Sequence, residues 1–156
     1  QDEVYDGFFR SVRSLLPGGG RFFLQTMVFG PNALPPDQLD INAPPGSDAH
    51  VMALMEAQFP GSWLPYGQEQ LVRCAAPYFR MVSSSSGRLD YLETIRQWRR
   101  RFGGFSVAKM GVKLSLLPRY LSSRAFRQAF TSGISPNSIC FERLLMDHYR
   151  IVFEPI

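Results

Sequence analysis

The sequence predicts an α/β fold, and two observations carry that reading. The first is the stretch Leu15-Leu16-Pro17-Gly18-Gly19-Gly20 followed by the apolar run Phe22 to Phe29. Proline and glycine stop a helix, because proline cannot continue it and glycine accepts the left-handed exit. Phe22 to Phe29 is interrupted only by Gln25 and Thr26 and does not alternate. It therefore reads as a strand covered on both faces, an interior strand of a parallel sheet. The second observation is that two further strand-like runs, Tyr78 to Ser83 and Tyr149 to Phe153, are separated from it by helical stretches.

Each element has a local reason. Val4, Phe8, Val12 and Leu15 recur at helical spacing and predict a first helix with that apolar face. Gly30 to Asp48, rich in Pro, Asn and Asp, is an irregular connection, long enough to be functional or mobile. Ala49 to Phe59 and Gly67 to Ala76 read as short helices, the second stopped by Pro77. The serines Ser83 to Ser86 and Gly87 read as a plain loop. Leu89 to Phe102 is the strongest helix: Asp90 can cap its start, and basic residues crowd its last turn, where the helix dipole favours them. Residues 105–130 form a further helical region interrupted at Gly111 and Pro118, and Ile139 to Tyr149 reads as a last helix leading into the closing strand.

Composition bounds the function without naming it. At 156 residues the chain is one domain or part of a larger one, and 45% hydrophobic against 19% charged residues allow a real core. The abundance of Phe fits an apolar cavity or a lipid-facing surface as well as a plain core. A net charge of +4 is weak evidence for an anionic partner such as phospholipid head groups or nucleic acid. Cys74 and Cys140 match no metal or redox spacing, which predicts reduced thiols and a cytoplasmic protein. His50 and His148 lie far apart, neither in a metal-ligand spacing. Gly18-Gly19-Gly20 precedes a strand instead of following one, so it is a turn and not a phosphate loop. No apolar run reaches the length of a membrane span. The opening Gln1-Asp2-Glu3 lacks Met and runs straight into a helix, as expected of a fragment whose amino-terminal part is missing.

Five stretches, in order, carry a family resemblance. They are Tyr5-Asp6-Gly7-Phe8-Phe9 with the turn up to Arg21, Leu24-Gln25-Thr26-Met27, Phe59-Pro60-Gly61-Ser62-Trp63-Leu64-Pro65, Asp90 to Trp98, and Phe141 with Met146-Asp147. Together they resemble the carboxyl-terminal half of the cyclopropane fatty acid synthase and mycolic acid cyclopropane synthase family of S-adenosylmethionine-dependent methyltransferases. The resemblance implies the carboxyl-terminal part of a Rossmann-like methyltransferase sheet, its last two strands antiparallel at the edge. It also implies helical insertions around 31–66 and 103–138 that form the acyl-binding side, and a helix at Met146-Asp147 before the last strand.

The implied activity is methyl transfer from S-adenosylmethionine to the double bond of an unsaturated acyl chain on a phospholipid or carrier. Bicarbonate is the implied proton acceptor. By the resemblance its ligands fall on Gln25, the backbone at Met27, and Tyr91, while Phe59, Leu64, Ile95 and Phe141 line the acyl tunnel. The adenosylmethionine motifs of the family lie before Gln1, so no cofactor-binding residue is expected here, and the isolated fragment should bind cofactor poorly. The family usually has His where this chain has Gln25, a residue that cannot titrate but can still donate a hydrogen bond to an anion. A methyl or methylene branch is thereby open beside a ring as product. Peripheral membrane contact through Arg99, Arg100 and Arg101 stands beside the plainer reading of a solvated helix end. The alternative from another class is a lipid- or partner-binding remnant without chemistry.

Overall fold

The computed structural model describes residues 2–59, 61, 64–104, 106–133 and 135–156, with side chains throughout except at 102, 125, 128, 129 and 132. Of the turn from Phe59 to Pro65, residues Pro60, Ser62 and Trp63 lie outside the described ones. The chain divides into two units. The first comprises Gln1–Ala33, Trp63–Tyr91 and Leu144–Ile156, the second Leu34–Ser62 and Leu92–Arg143.

The first unit holds α1 (Asp2–Leu15), β1 (Phe22–Phe29), α3 (Gly67–Ala75), β2 (Phe79–Ser86) and β3 (Met146–Pro155). The sheet order is β1-β3-β2, and β3 runs antiparallel to both neighbours. This corrects the expectation of an interior strand in a parallel sheet. β1 is the edge of the described sheet and β3 its centre, because β3 inserts between two strands that run the same way. The antiparallel pairing expected of the two later strands is present.

β1 is also not covered on both faces. Phe22, Leu24 and Val28 face a core that contains Phe9, Leu71, Phe79, Ile151 and Phe153, whereas Phe23, on the opposite face, is 55% exposed. The rings of Phe9, Phe22, Phe79 and Phe153 pack on one another at centroid distances of 5.6–6.4 Å. Successive side chains of a strand point to opposite faces, and a large apolar side chain such as Phe23 can stand exposed, so an unbroken Phe-rich run does not by itself report two-sided burial.

Two other expectations change for similar reasons. The buried side of α1 is Tyr5, Phe9, Val12 and Leu16, one residue round from the face predicted; Val4 and Leu15 are exposed. The serine run is not a loop. Ser83 to Ser86 continue β2 after a bulge near Met81, pairing with Val152 to Tyr149. Strand pairing through the backbone asks nothing of the side chain, so an edge strand can be polar throughout.

The second unit is helical: α2 (Asp48–Gln58), the length of α4 (Arg88–Gly103) from Leu92 onward, α5 (Val107–Ser122), α6 (Arg124–Ser132) and α7 (Ser135–Glu142). Ser47 caps α2 by accepting from the His50 amide at 3.3 Å. Arg143 ties the unit together, donating to the Gly46 carbonyl at 2.8 Å and to Asp48 at 2.6 Å. Its buried side chains include Val51, Met52, Leu54, Met55, Ile95, Cys140 and Phe141. Burial pushes the Cys140 thiol up to about 12, so it stays protonated and inert. The last helix ends at Glu142 rather than Tyr149, and Met146-Asp147 already belong to β3. The break falls at Leu144, which adopts a left-handed φ of 58° that no helix continues.

Candidate functional site

The register of the sheet fixes which residues share a face. Gln25 lies opposite Arg150 and Met27 opposite His148, and directly opposed residues project to the same side. That side is the one away from the phenylalanine core. The positions lie toward the carboxyl ends of β1 and β2, where open α/β sheets place ligands.

The turn from β2 into α4 brings Tyr91 to this face. The Ser86 hydroxyl accepts from the Arg88 amide at 3.2 Å and so starts the helix. Gly87 then ties two segments: its amide donates to the His148 carbonyl at 2.7 Å, and its carbonyl accepts from the Tyr91 amide at 2.9 Å. Only glycine fits, because a Cβ there would stand 2.5 Å from His148 Nδ1 and 3.3 Å from the Arg150 guanidinium carbon. The Tyr91 ring consequently stacks on the His148 imidazole, centroids 5.6 Å apart and planes inclined by 19°.

The face is set with hydrogen-bond donors. Arg150 carries the positive charge, and Asp90 is held by it at 2.8 Å. Burial raises the Tyr91 phenol above its ordinary pKa, so it remains a hydrogen-bond donor at neutral pH. His148 is moved the other way, by burial first and by Arg150 second, and is neutral there. Gln25 is exposed and offers its amide to solvent. An amide, a phenol and a guanidinium on one face are a donor set that fits a small oxyanion.

The residues singled out in the sequence are therefore only partly gathered. Gln25, Met27 and Tyr91 occupy one face of one unit. Leu64 stands in the same unit beside the carboxyl end of β1, where the Phe29 amide donates to the neighbouring Pro65 carbonyl at 2.8 Å. Phe59, Ile95 and Phe141 belong to the second unit. Phe59 is 52% exposed, whereas Ile95 and Phe141 are 1% and 0% exposed, as core residues are. A cavity of about 150 Å³ in that unit is lined by Leu92, Ile95, Arg96, Arg99, Ser138 and Glu142, smaller than the usual ligand pocket of about 300–1,000 Å³. A groove of about 560 Å³ in the first unit lies elsewhere, between α1 and α3, where Asp2 pairs with Arg73 and Asp6 with Arg10.

Sequence reasoning missed His148 and Gly87. His148 lacks any ligand spacing, and Gly87 closed what read as a loop. The signal available was a glycine between a strand and the helix that carries Tyr91.

No protein-family model matches the sequence, and no curated protein matches it. Solved structures do. The fold is similar to that of the mycolic acid cyclopropane synthase CmaA1 complexed with SAH and CTAB, with a TM-score of 0.68 at 20% identity over 97% of this chain and 50% of that one. It is equally similar to the cyclopropane synthase MmaA2 from Mycobacterium tuberculosis, at a TM-score of 0.68 and 15% identity, again over 97% of this chain and 50% of that one. The apo form of CmaA1 matches at 0.57 with 19% identity, covering 97% of this chain and 52% of the other. The chain thus spans about half the length of these proteins, and over that half it has the fold of a mycolic acid cyclopropane synthase.

Proposed function

We propose that this chain is the acyl-side part of an S-adenosylmethionine-dependent methyltransferase acting on the double bond of an unsaturated acyl chain. One observation carries the reading. Gln25, Met27 and Tyr91, the positions the family resemblance assigns to a bound anion, share a sheet face with a guanidinium, in a fold like that of a cyclopropane synthase.

An alkene is a poor nucleophile, so the reaction depends on alignment and on a dry pocket. S-adenosylmethionine, for which this chain supplies no assigned residue, brings an electrophilic methyl group. The alkene π pair forms the new C–C bond while the S–C bond breaks toward sulfur, leaving a carbocation on the acyl chain. Loss of a proton from the added methyl lets its C–H pair close the ring; where a 1,2-hydride shift first moves the cation to the methyl-bearing carbon, loss of a proton from that methyl leaves a methylene branch. Bicarbonate would supply the acceptor for that proton. Tyr91 orients the anion by donating its phenolic hydrogen, Gln25 donates its amide, and Arg150, paired with Asp90 at 2.8 Å, adds a further N–H donor. The family resemblance assigns the acyl chain to the apolar residues Phe59, Leu64, Ile95 and Phe141, which would exclude water from it. The decisive experiment is methyl transfer from labelled S-adenosylmethionine to unsaturated phospholipid or carrier-bound acyl chains by the full-length protein. Acyl binding without transfer would make the chain a lipid-binding remnant instead.

Gln25→His should leave the enzyme active and move the product toward the ring, because an imidazole can share the proton that an amide cannot. Product analysis by mass spectrometry checks this; an unchanged product ratio places proton acceptance elsewhere.

Peripheral contact with anionic lipid belongs to the same proposal. From Thr94 to Phe141 the sequence contains no Asp or Glu, while α5 and α6 carry Lys109, Lys113, Arg119, Arg124 and Arg127. α5 buries no residue and exposes Val107, Met110, Leu114, Leu117 and Leu121 at spacings of three and four, one stripe of a helix. Among the described residues no helix is long and apolar enough to cross a membrane. Liposome co-sedimentation should weaken with added salt and with Arg99, Arg100 and Arg101 changed to Ala. Binding indifferent to both would remove the electrostatic contact.

A further inference from the structure

We propose that His148, as a neutral imidazole with its proton on Nε2, is a further anion-holding residue of the Gln25–Tyr91 face. The inference rests on the oxyanion reading of that face. It assigns a role to a residue that neither the sequence motifs nor the fold likeness singles out.

His148 is 5% exposed, and among the described residues its Nδ1 is buried without a hydrogen-bond partner. That atom is packed against Gly87, whose Cβ, were there one, would lie 2.5 Å away. A proton on Nδ1 would bury a donor with nothing to receive it, which is costly. A lone pair there costs less, so the neutral ring carries its hydrogen on Nε2. The charged form is disfavoured as well. Burial and Arg150 act against it, and they outweigh Asp147 on β3 and Asp90 on α4, while the facing residues of β1, Gln25 and Met27, bear no charge. Stacking on Tyr91 and the Gly87 amide bond to the His148 carbonyl hold the ring in one orientation.

The register places His148 opposite Met27 and on the strand next to Gln25. Where the family resemblance puts an imidazole on β1, this chain has an amide there and an imidazole on the adjacent strand. Because the ring stays neutral, it contributes direction instead of charge and does not draw the anion away from Arg150.

The chain has only two histidines, His50 and His148, so nitrogen-15 spectra of the ring can be assigned with a single His148→Phe variant. At neutral pH the His148 Nδ1 should show the shift of an unprotonated nitrogen and Nε2 that of a protonated one. Adding bicarbonate should move the Nε2–H resonance. His148→Phe, which keeps an aromatic ring against Tyr91 but removes the donor, should weaken bicarbonate binding about tenfold, as measured by carbon-13 bicarbonate titration. His148→Gln, with an amide donor, should recover part of that loss, which a purely packing role would not predict. A proton found on Nδ1 overturns the proposal. So does a bicarbonate affinity unaltered in His148→Phe, while shifts at Gln25 and Tyr91 keep the anion reading intact. If bicarbonate moves none of these resonances, the anion reading and this inference fall together.

Discussion

Tyr91→Phe should lower turnover by about ten- to a hundredfold while leaving S-adenosylmethionine affinity nearly unchanged. The substitution removes one hydrogen bond to a charged group, a loss of about 1.5–3 kcal/mol. It keeps the ring that stacks on His148 at 5.6 Å, so the turn through Gly87 and the start of α4 are undisturbed. The pKa of the phenol matters to the direction of the effect. Burial raises it, so the hydroxyl is a donor across the neutral range, and the defect in Tyr91→Phe should be of similar size from pH 6 to pH 9. Single-turnover rates with saturating cofactor, beside calorimetric cofactor binding, separate the two quantities. Loss of cofactor affinity with unchanged turnover would move Tyr91 out of the anion site, and a silent variant would leave only the fold. The family resemblance assigns Tyr91 to the anion and its ring is fixed on His148, whereas Gln25 is an exposed side chain, so the effect at Tyr91 is expected to exceed that at Gln25.

How much of this was legible in the sequence differs between levels. Element identity was legible wherever backbone chemistry leaves a mark: Pro17 and the glycines after it end α1, and the basic end of α4 suits its dipole. Sidedness was not. Val4-Phe8-Val12-Leu15 and Tyr5-Phe9-Val12-Leu16 are both apolar stripes, and only the packing against Phe22, Phe79 and Phe153 selects the second. The pairing of β3 between β1 and β2 depends on contacts across most of the chain, which no local window contains. For the site, the family resemblance supplied Gln25, Met27 and Tyr91. His148 had no motif to announce it, because a neutral donor held by a glycine and a ring needs neither a spacing nor a charged neighbour in sequence. The serine run misled for a related reason, since polar side chains describe solvent exposure and say little about whether the backbone is paired.

The largest stability effect is expected at the centre of the first unit. Phe153→Ala should cost about 3–5 kcal/mol, the transfer energy of a buried ring plus the cavity it leaves. Phe153 is fully buried on the central strand and packs on Phe9 at 5.6 Å, Phe22 at 6.0 Å and Phe79 at 6.1 Å. Its removal therefore loosens α1, β1 and β2 at once. Phe23→Ala is the matched test. Phe23 neighbours Phe22 in the same strand, has the same side chain and pairs with Val152, but it projects to the other face and is 55% exposed. Its loss should fall within about 0.5 kcal/mol, as for surface positions in general. Denaturant unfolding of both variants, read as midpoints at constant slope, decides between a strand covered on one side and one covered on two. If Phe23→Ala approaches Phe153→Ala in cost, β1 is buried on both faces in the protein that is measured. The oxyanion face could not then be open to solvent at Gln25, and the donor set would have to act in a closed pocket. If the two costs differ as expected, the same alternation that buries Phe22, Leu24 and Val28 is what presents Gln25 and Met27 to a ligand. On that outcome the core and the site are two sides of one strand.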